Sequence, residues 1–401
     1  MKIGIIGSGI VGLTLAYEIA HNNSKCEITI FEKEDNSLKH GTGRNSGVIH
    51  SGIYYTPNSL RSELCIKGSR LMKKFIQDHN LFLNPCGKLL LPRDLKEIES
   101  LNLLFERSKK VGVKAIKLDS KKEILKIEPN CNPLFDEALF IQDTAIGDPK
   151  EVSKKLLEIL SEKKVTILYQ HEISDVNSEK GIISVQNTIF EFDYIINAAG
   201  LYSDKIAKIS NLKTNYSSLP FKGKYWSVKT PNISELPKTL LYPVPNLAHP
   251  FLGIHTVYDQ KGNFYLGPSS TPVFGKEAYK SFQNFNLSEF ISLLLKFTSK
   301  IIKNENKLRS LAISEFRNLF LFHIRNSTKL YFKSSLNISL SESAKVGIRS
   351  QIFDNQSKTL FNDFVVVKQK KTIHILNAIS PAWTSSFAMA KHICSNFLTQ
   401  N

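Results

Sequence analysis

Residues 1–20 read MKIGIIGSGIVGLTLAYEIA, and residues 27–34 read EITIFEKE. Lys2 to Ile6 is a short apolar run, a buried strand. Gly7, Gly9 and Gly12 follow as GxGxxG, and LTLAYEIAHNN then places apolar residues at helical spacing. EITIFEKE is a second strand, in which Glu32 stands twenty residues after Gly12. A lone GxGxxG says little. Strand, glycine loop, helix, strand and acid in that order specify a dinucleotide-binding unit. Gly7 makes the tight turn, Gly9 lets backbone approach a pyrophosphate, and Gly12 lets helix and strand pack closely. Ile10 and Val11 open the helix, whose N-terminus offers N–H groups and a positive dipole end. Glu32 accepts hydrogen bonds from ribose hydroxyls, with Lys33 beside it, and an acid there disfavours the 2′-phosphate of NADP. The unit alone does not choose between NAD and FAD. Its first residues also have the outline of a secretory leader, but the glycine pattern makes them the first strand of a fold.

The remaining composition narrows the class. The chain has 401 residues, 42% hydrophobic, enough for two or three domains' worth of core. Its 53 Lys and Arg against 36 Asp and Glu leave a formal charge of +17. Such an excess suits nucleic acid, an anionic membrane or an acidic substrate. The lysines are dispersed and no nucleic-acid motif accompanies them, so a solvated basic surface is expected and a nucleic-acid partner is not. Five cysteines, at 26, 65, 86, 131 and 394, are odd in number and form no CxxC. That argues against a metal site or a disulfide framework and for reduced thiols in the cytoplasm. No apolar run is long enough to span a bilayer.

Further along, residues 60–80 read as an amphipathic helix, PCGKLLLP as a strand, and the stretch after IGDP as a helix. VTILYQHEISDV reads as one strand, followed by a hairpin that ends in NAAGLYSD. From about Pro220, FKGKYWSVKT, LYPVP and HPFLGIHTVYDQKGNFYLGP read as antiparallel strands of a second domain. LSEFISLLLKFTSKII is a helix, DFVVVKQKKTIHILNA a hairpin, and ISPAWTSSFAMAKHICSNFL a turn and helix. The segment GRNSGVIHSGIYY, residues 43–55, is too glycine-rich for a helix and too polar for a buried strand.

With these pieces in place, the chain resembles the D-amino-acid-oxidase-like flavoproteins and, within them, the L-2-hydroxyglutarate oxidase/dehydrogenase family. The matching pieces include GIIGSGIVGLTLAYEI, TGRNSGVIHSGIYYTPNSLRSELCIKG, NAAGLYSD, GIRSQ and LNAISPAWTSSFAMA, spread over nearly the whole chain. The resemblance implies an α/β fold: a discontinuous Rossmann-type FAD-binding domain (1–80, 146–215 and 345–401) and a mixed or antiparallel-sheet substrate domain (81–145 and 216–344). It implies FAD rather than NAD. Thr42, Arg44, Asn45, Ser46 and Gly47 would lie near the cofactor, as would Ala199 and Gly200. The helix after Ser380, with Pro381, Ala382 and Thr384, would point its positive end at the flavin. An ordinary capped helix also explains Ser380 and Pro381.

Oxidising a 2-hydroxy acid needs a carboxylate clamp and a base for the hydroxyl proton. Arg349 in GIRSQ is the candidate clamp, matching a substrate arginine of the superfamily. His255 in FLGIH is the candidate base and His50 its competitor; His50 has a third reading as a covalent flavin attachment point. Tyr54 and Tyr225 are expected in the substrate wall. Two positions depart from the family pattern: Tyr258 where an arginine is frequent, and Lys224 where an acid is common. Both bear on which acid is oxidised.

The expected reaction is FAD-dependent oxidation of a small 2-hydroxy acid, L-2-hydroxyglutarate, with electrons passed to oxygen, a quinone or a carrier protein. The competing readings are an oxidase of amino acids, secondary amines or glycerol phosphate, and a flavin-containing RNA- or membrane-binding protein without turnover. Peripheral contact with the inner face of a membrane is compatible with the enzyme.

Overall fold

The computed structural model describes residues 1–247, 251–280, 286–305, 308–318, 320–333 and 336–398. Strand Lys2–Ile6 pairs in parallel with Glu27–Phe31 on one side and Tyr194–Asn197 on the other. Six strands form this sheet in the order Val365–Gln369, Thr372–Asn377, Tyr194–Asn197, Lys2–Ile6, Glu27–Phe31, Thr166–Leu168. All neighbours are parallel except the edge pair Val365–Gln369 and Thr372–Asn377, a hairpin. Helix Ile10–Asn22 packs on this sheet, helices Pro149–Glu162 and Ala382–Phe397 pack on that helix, and Leu60–Asp78 packs on the last of them. Ile3, Ile5, Leu13, Leu15, Ile373 and Trp383 share the resulting core. The sequence runs are continuous and apolar because both faces of a parallel sheet are covered.

Two further sheets stand apart from this one. A four-stranded sheet runs in the order Leu240–Pro243, Lys88–Leu91, Ala138–Ile141, Ala115–Leu118. In a larger one, Phe221–Lys229 pairs antiparallel with Phe264–Gly267 and with Ser339–Arg349, and His255–Tyr258 pairs with Phe264–Gly267. The GIRSQ arginine therefore ends a strand of this larger sheet.

Two local expectations change. LYPVP does not run antiparallel to its neighbour: Leu240–Pro243 is parallel to Lys88–Leu91, which the long connection between them permits. VTILYQHEISDV is not one strand. Thr166–Leu168 stays in the six-stranded sheet, while Asp175–Asn177 joins Ile182–Val185 and Thr188–Glu191 in a small antiparallel sheet. Between them the chain turns at Gln170 (φ 58°), where the Gln170 and His171 amides donate to the Glu34 and Glu32 carbonyls.

Candidate active site

A cavity of ≈ 420 Å³ runs from the glycine loop, past the end of the C-terminal helix, to the larger antiparallel sheet. Gly7, Gly9, Ile10, Val11, Glu32 and Lys33 line its first part. The glycines separate by role. Gly7 has φ 106°, and a Cβ there would sit 2.7 Å from the Ala198 carbonyl oxygen. A Cβ at Gly12 would lie 2.0 Å from the Gly7 carbonyl oxygen, so no side chain fits. Gly12 faces the strand rather than the cavity. A Cβ at Gly9 would meet only Thr42 Oγ1, at 3.4 Å, leaving its cavity side open to a ligand.

Glu32 is braced from within the chain. Its Oε2 accepts from the Ser8 amide at 3.0 Å and the Ser8 hydroxyl at 2.8 Å, and its Oε1 accepts from the Glu34 amide at 3.0 Å. Thr42 Oγ1 accepts from the Ile10 amide at 2.9 Å. Lys33 reaches the rim, where it pairs with Glu34 and Glu277. Glu34, His40 and Glu277 bring possible metal-ligand atoms within 4.8 Å of one another. The Lys33 ammonium already pairs with both carboxylates.

In the GRNSG loop, Arg44 is held by the protein: its Nε donates to the Lys39 carbonyl at 2.9 Å and its guanidinium stacks on Tyr279 at 3.6 Å. Arg44, Asn45 and Ser46 line the cavity, but Gly47 does not. Asn45 Oδ1 accepts from the Gly47 amide, and a Cβ at Gly47 (φ 85°) would stand 2.4 Å from the Gly147 carbonyl oxygen. Gly47 thus packs the loop against the neighbouring strand. Ala199 and Gly200 line the cavity at the end of strand Tyr194–Asn197.

The C-terminal helix begins at Ala382 with no side-chain cap, and Ser380, Ala382 and Trp383 line the cavity. An uncapped N-terminus facing a cavity suits an anionic group. Pro381 and Thr384 do not line it. Thr384 Oγ1 instead accepts from the His50 amide at 3.1 Å and donates to the Val48 carbonyl at 3.3 Å, so the helix positions the His50 loop.

At the far part, His50, Tyr54, Tyr225, His255 and Arg349 meet around the same cavity. Arg349 Nη1 donates to Ser270 Oγ at 2.6 Å, and the Ser270 amide donates to Glu315 at 2.7 Å. His255 is buried and stacks on Tyr242 at 3.8 Å. Its Nδ1 bonds the Gly253 carbonyl at 2.8 Å, which places the proton on Nδ1 and leaves the Nε2 lone pair free. Burial, Arg349 and Lys88 lower its pKa to about 3, against the Gly253 bond, which raises it. His50 is also pushed down by burial, then by Lys88, His255, Arg61 and Arg349, and its buried Nδ1 has no hydrogen-bond partner. Burial pushes the Tyr54 and Tyr225 hydroxyls up, so both remain donors.

Tyr258 and Lys224 lie elsewhere. Strand alternation puts Tyr258 on the face opposite His255, where its hydroxyl donates to the Lys238 carbonyl at 2.6 Å. Lys224, between the cavity-lining Gly223 and Tyr225, points the other way toward Glu342 at 3.7 Å. Neither lines the cavity.

Sequence reasoning missed Arg61 and Tyr55, which line the cavity, and Lys88 and Tyr242, which pack behind Tyr54 and His255. Arg61 Nη1 donates to the Asn362 carbonyl at 2.9 Å, Nη2 bonds the Ser380 carbonyl, and the guanidinium covers Tyr55 at 4.2 Å. It joins the start of one helix to the approach of another, a long-range tie with no local signal. Lys88 did carry a signal, a lysine opening the apolar run KLLL.

Comparison with known proteins agrees with this architecture. The FAD dependent oxidoreductase family model matches residues 2–395. The chain is 33% identical to the mitochondrial L-2-hydroxyglutarate dehydrogenase of Bos taurus, over 97% of this chain and 86% of that one. It is 32% identical to the L-2-hydroxyglutarate dehydrogenase of Indibacter alkaliphilus, over 98% of both. The structure is similar to FAD-bound L-alpha-glycerophosphate oxidase from Mycoplasma pneumoniae, with TM-score 0.73 and 21% identity over 100% and 95% of the two chains. It is also similar to L-amino acid deaminase from Proteus vulgaris, with TM-score 0.71 and 16% identity over 100% and 94%.

Proposed function

This chain belongs to the FAD dependent oxidoreductase family, and from that premise we propose that it oxidises L-2-hydroxyglutarate to 2-oxoglutarate with FAD as its bound oxidant. The observation that carries the reading is one cavity, open from the glycine loop to Arg349, His255 and His50. The glycine cradle, Glu32 and the uncapped helix start at Ala382 fit a dinucleotide, and these groups would hold it. We take 1–80, 146–215 and 345–401 as the cofactor part and the remainder as the substrate part; the strand Ser339–Arg349 runs across that boundary and ends at Arg349.

FAD held there would supply a two-electron oxidant for the substrate's Cα–H bond. The chain's own residues do the rest. Arg349, preset by Ser270, binds the 2-carboxylate through paired N–H donors. Nε2 of His255 accepts the hydroxyl proton. Tyr54 and Tyr225 donate hydrogen bonds, and Phe251, Leu252 and Trp383 exclude water from the lining.

The test is the flavin spectrum of the purified protein under a panel of L-2-hydroxy acids, amino acids, secondary amines and glycerol phosphate. Bleaching by L-2-hydroxyglutarate above all others is expected. No flavin absorbance after reconstitution, or bleaching by an amine or glycerol phosphate and by no hydroxy acid, would reject the reading.

The electrons need an acceptor, and one surface bears on where it is met. Among the described residues no helix is long and apolar enough to cross a membrane. Helix Leu287–Ile302 nevertheless exposes Leu287, Ile291, Leu295 and Ile302 on one stripe while burying Leu293 and Phe297. Phe316, Phe320 and Phe322 are exposed nearby in sequence, with Lys303, Arg309, Arg317 and Arg325 exposed among them. An apolar face with basic residues fits peripheral contact with an anionic bilayer. Sedimentation with vesicles containing phosphatidylserine is expected, and Leu295→Glu with Phe322→Glu should abolish it without changing turnover of a soluble dye acceptor.

A further inference from the structure

Lys88 opens the strand Lys88–Leu91, inside the four-stranded sheet, and is 0% exposed. Its Nζ has no hydrogen-bond partner and, among the described residues, no carboxylate acts on it. The ammonium faces aromatic rings instead, 4.1 Å from the Tyr54 centroid and 5.0 Å from the Tyr242 centroid. Tyr54 lines the cavity, and Tyr242 stacks on His255, which lines it too. An uncompensated buried cation is costly, and a methionine or leucine would pack there without that penalty.

We propose that Lys88 is a positioning residue for substrate charge: from behind the Tyr54 and Tyr242 rings, its ammonium makes the cavity favour a 2-hydroxy acid with a second carboxylate over one with a single carboxylate. The inference rests on the reading above that this cavity oxidises a 2-hydroxy acid. Charge acts at range through a wall of low dielectric, so Lys88 need not touch the substrate. The groups around it supply no compensating anion. From the 50–55 loop come His50 and Tyr54; from helix Leu60–Asp78, Cys65; from the paired strand Leu240–Pro243, Tyr242; and from the larger antiparallel sheet, His255. Burial raises the thiol and the phenols and lowers both imidazoles, so all of these stay neutral near pH 7. Burial also lowers the Lys88 pKa to about 7. Lys88 is then charged below that pH and neutral above it, and is the group in this set that titrates within the working range.

The test uses the FAD-loaded protein and two acids of equal chain length, L-2-hydroxyglutarate and L-2-hydroxyvalerate, from pH 5.5 to 9.5. Their carboxylates stay ionised throughout. For the wild type, the ratio of kcat/KM for the dianion to that for the monoanion should fall about tenfold as pH rises through about 7. Lys88→Arg should hold the high ratio to pH 9.5, and Lys88→Met should show the low ratio, flat with pH. A purely structural lysine would change both acids alike and leave the ratio where it was. A wild-type ratio that is flat with pH overturns the inference without any variant, as does a Lys88→Met ratio equal to the wild type's at pH 5.5. Oxidation of neither acid by the wild type overturns the reading of the site as well, which separates the two failures.

Discussion

Replacing Arg349 by alanine is expected to lower kcat/KM for L-2-hydroxyglutarate by about two to three orders of magnitude, chiefly through KM, with flavin still bound. Removing one partner of a desolvated carboxylate–guanidinium pair costs about 3–5 kcal/mol, and each 1.4 kcal/mol is about a factor of ten. The local geometry makes the change severe. Glu315 accepts from the Ser270 amide, and Ser270 Oγ accepts from Arg349, so the three form a chain that ends on the guanidinium. Without Arg349, the partly buried Glu315 loses a neighbouring cation. Arg349→Lys keeps the charge but not the two-pronged geometry, and should recover only part of the loss. Steady-state kinetics beside the flavin absorbance spectrum checks this. An unchanged KM in Arg349→Ala would remove Arg349 from the substrate's carboxylate.

Replacing His255 by asparagine is expected to lower kcat by about 10²–10⁴-fold, the range for losing a positioned general base. His50→Asn should cost less. The two histidines are equivalent as residue types and differ only in how they are held. His255 has its Nδ1 committed to the Gly253 carbonyl and its ring fixed on Tyr242, so Nε2 is aimed. His50 Nδ1 has no partner, and its backbone rather than its ring is held, by Thr384. The pH sign follows from the lowered pKa. With its pKa near 3 in the free enzyme, His255 is already unprotonated above about pH 4, so kcat/KM should show no acid limb from it between pH 5 and 7. Rapid-reaction flavin reduction across that range would test it. Equal losses in the two variants would assign the base to the pair.

Much of the cofactor half was legible because its determinants are local. GxGxxG, the apolar spacing of residues 10–22 and the acid at 32 are constraints within one short stretch of chain. The structure places Gly7, Gly9 and Glu32 along one cavity. The GRNSG loop was legible in part. Its small residues do let backbone pack closely, yet Gly47 packs against Gly147 rather than the cavity. Thr384 was expected at the cofactor and instead holds the loop that carries His50. Both are contacts between segments far apart in sequence.

What the sequence determined by itself is the class: a dinucleotide fold, from the spacing of glycines and acid, and a 2-hydroxy-acid site, from the wider resemblance. What tertiary structure decided is which side chains share the cavity. Strand alternation turns Tyr258 and Lys224 away from it, though both stand one to three residues from residues that line it. Sheet pairing brings Lys88 under Tyr242, because Leu240–Pro243 lies parallel to Lys88–Leu91. A side chain's face depends on register and pairing partner, and its charge state depends on what buries it. Neither quantity exists until the distant strands have met.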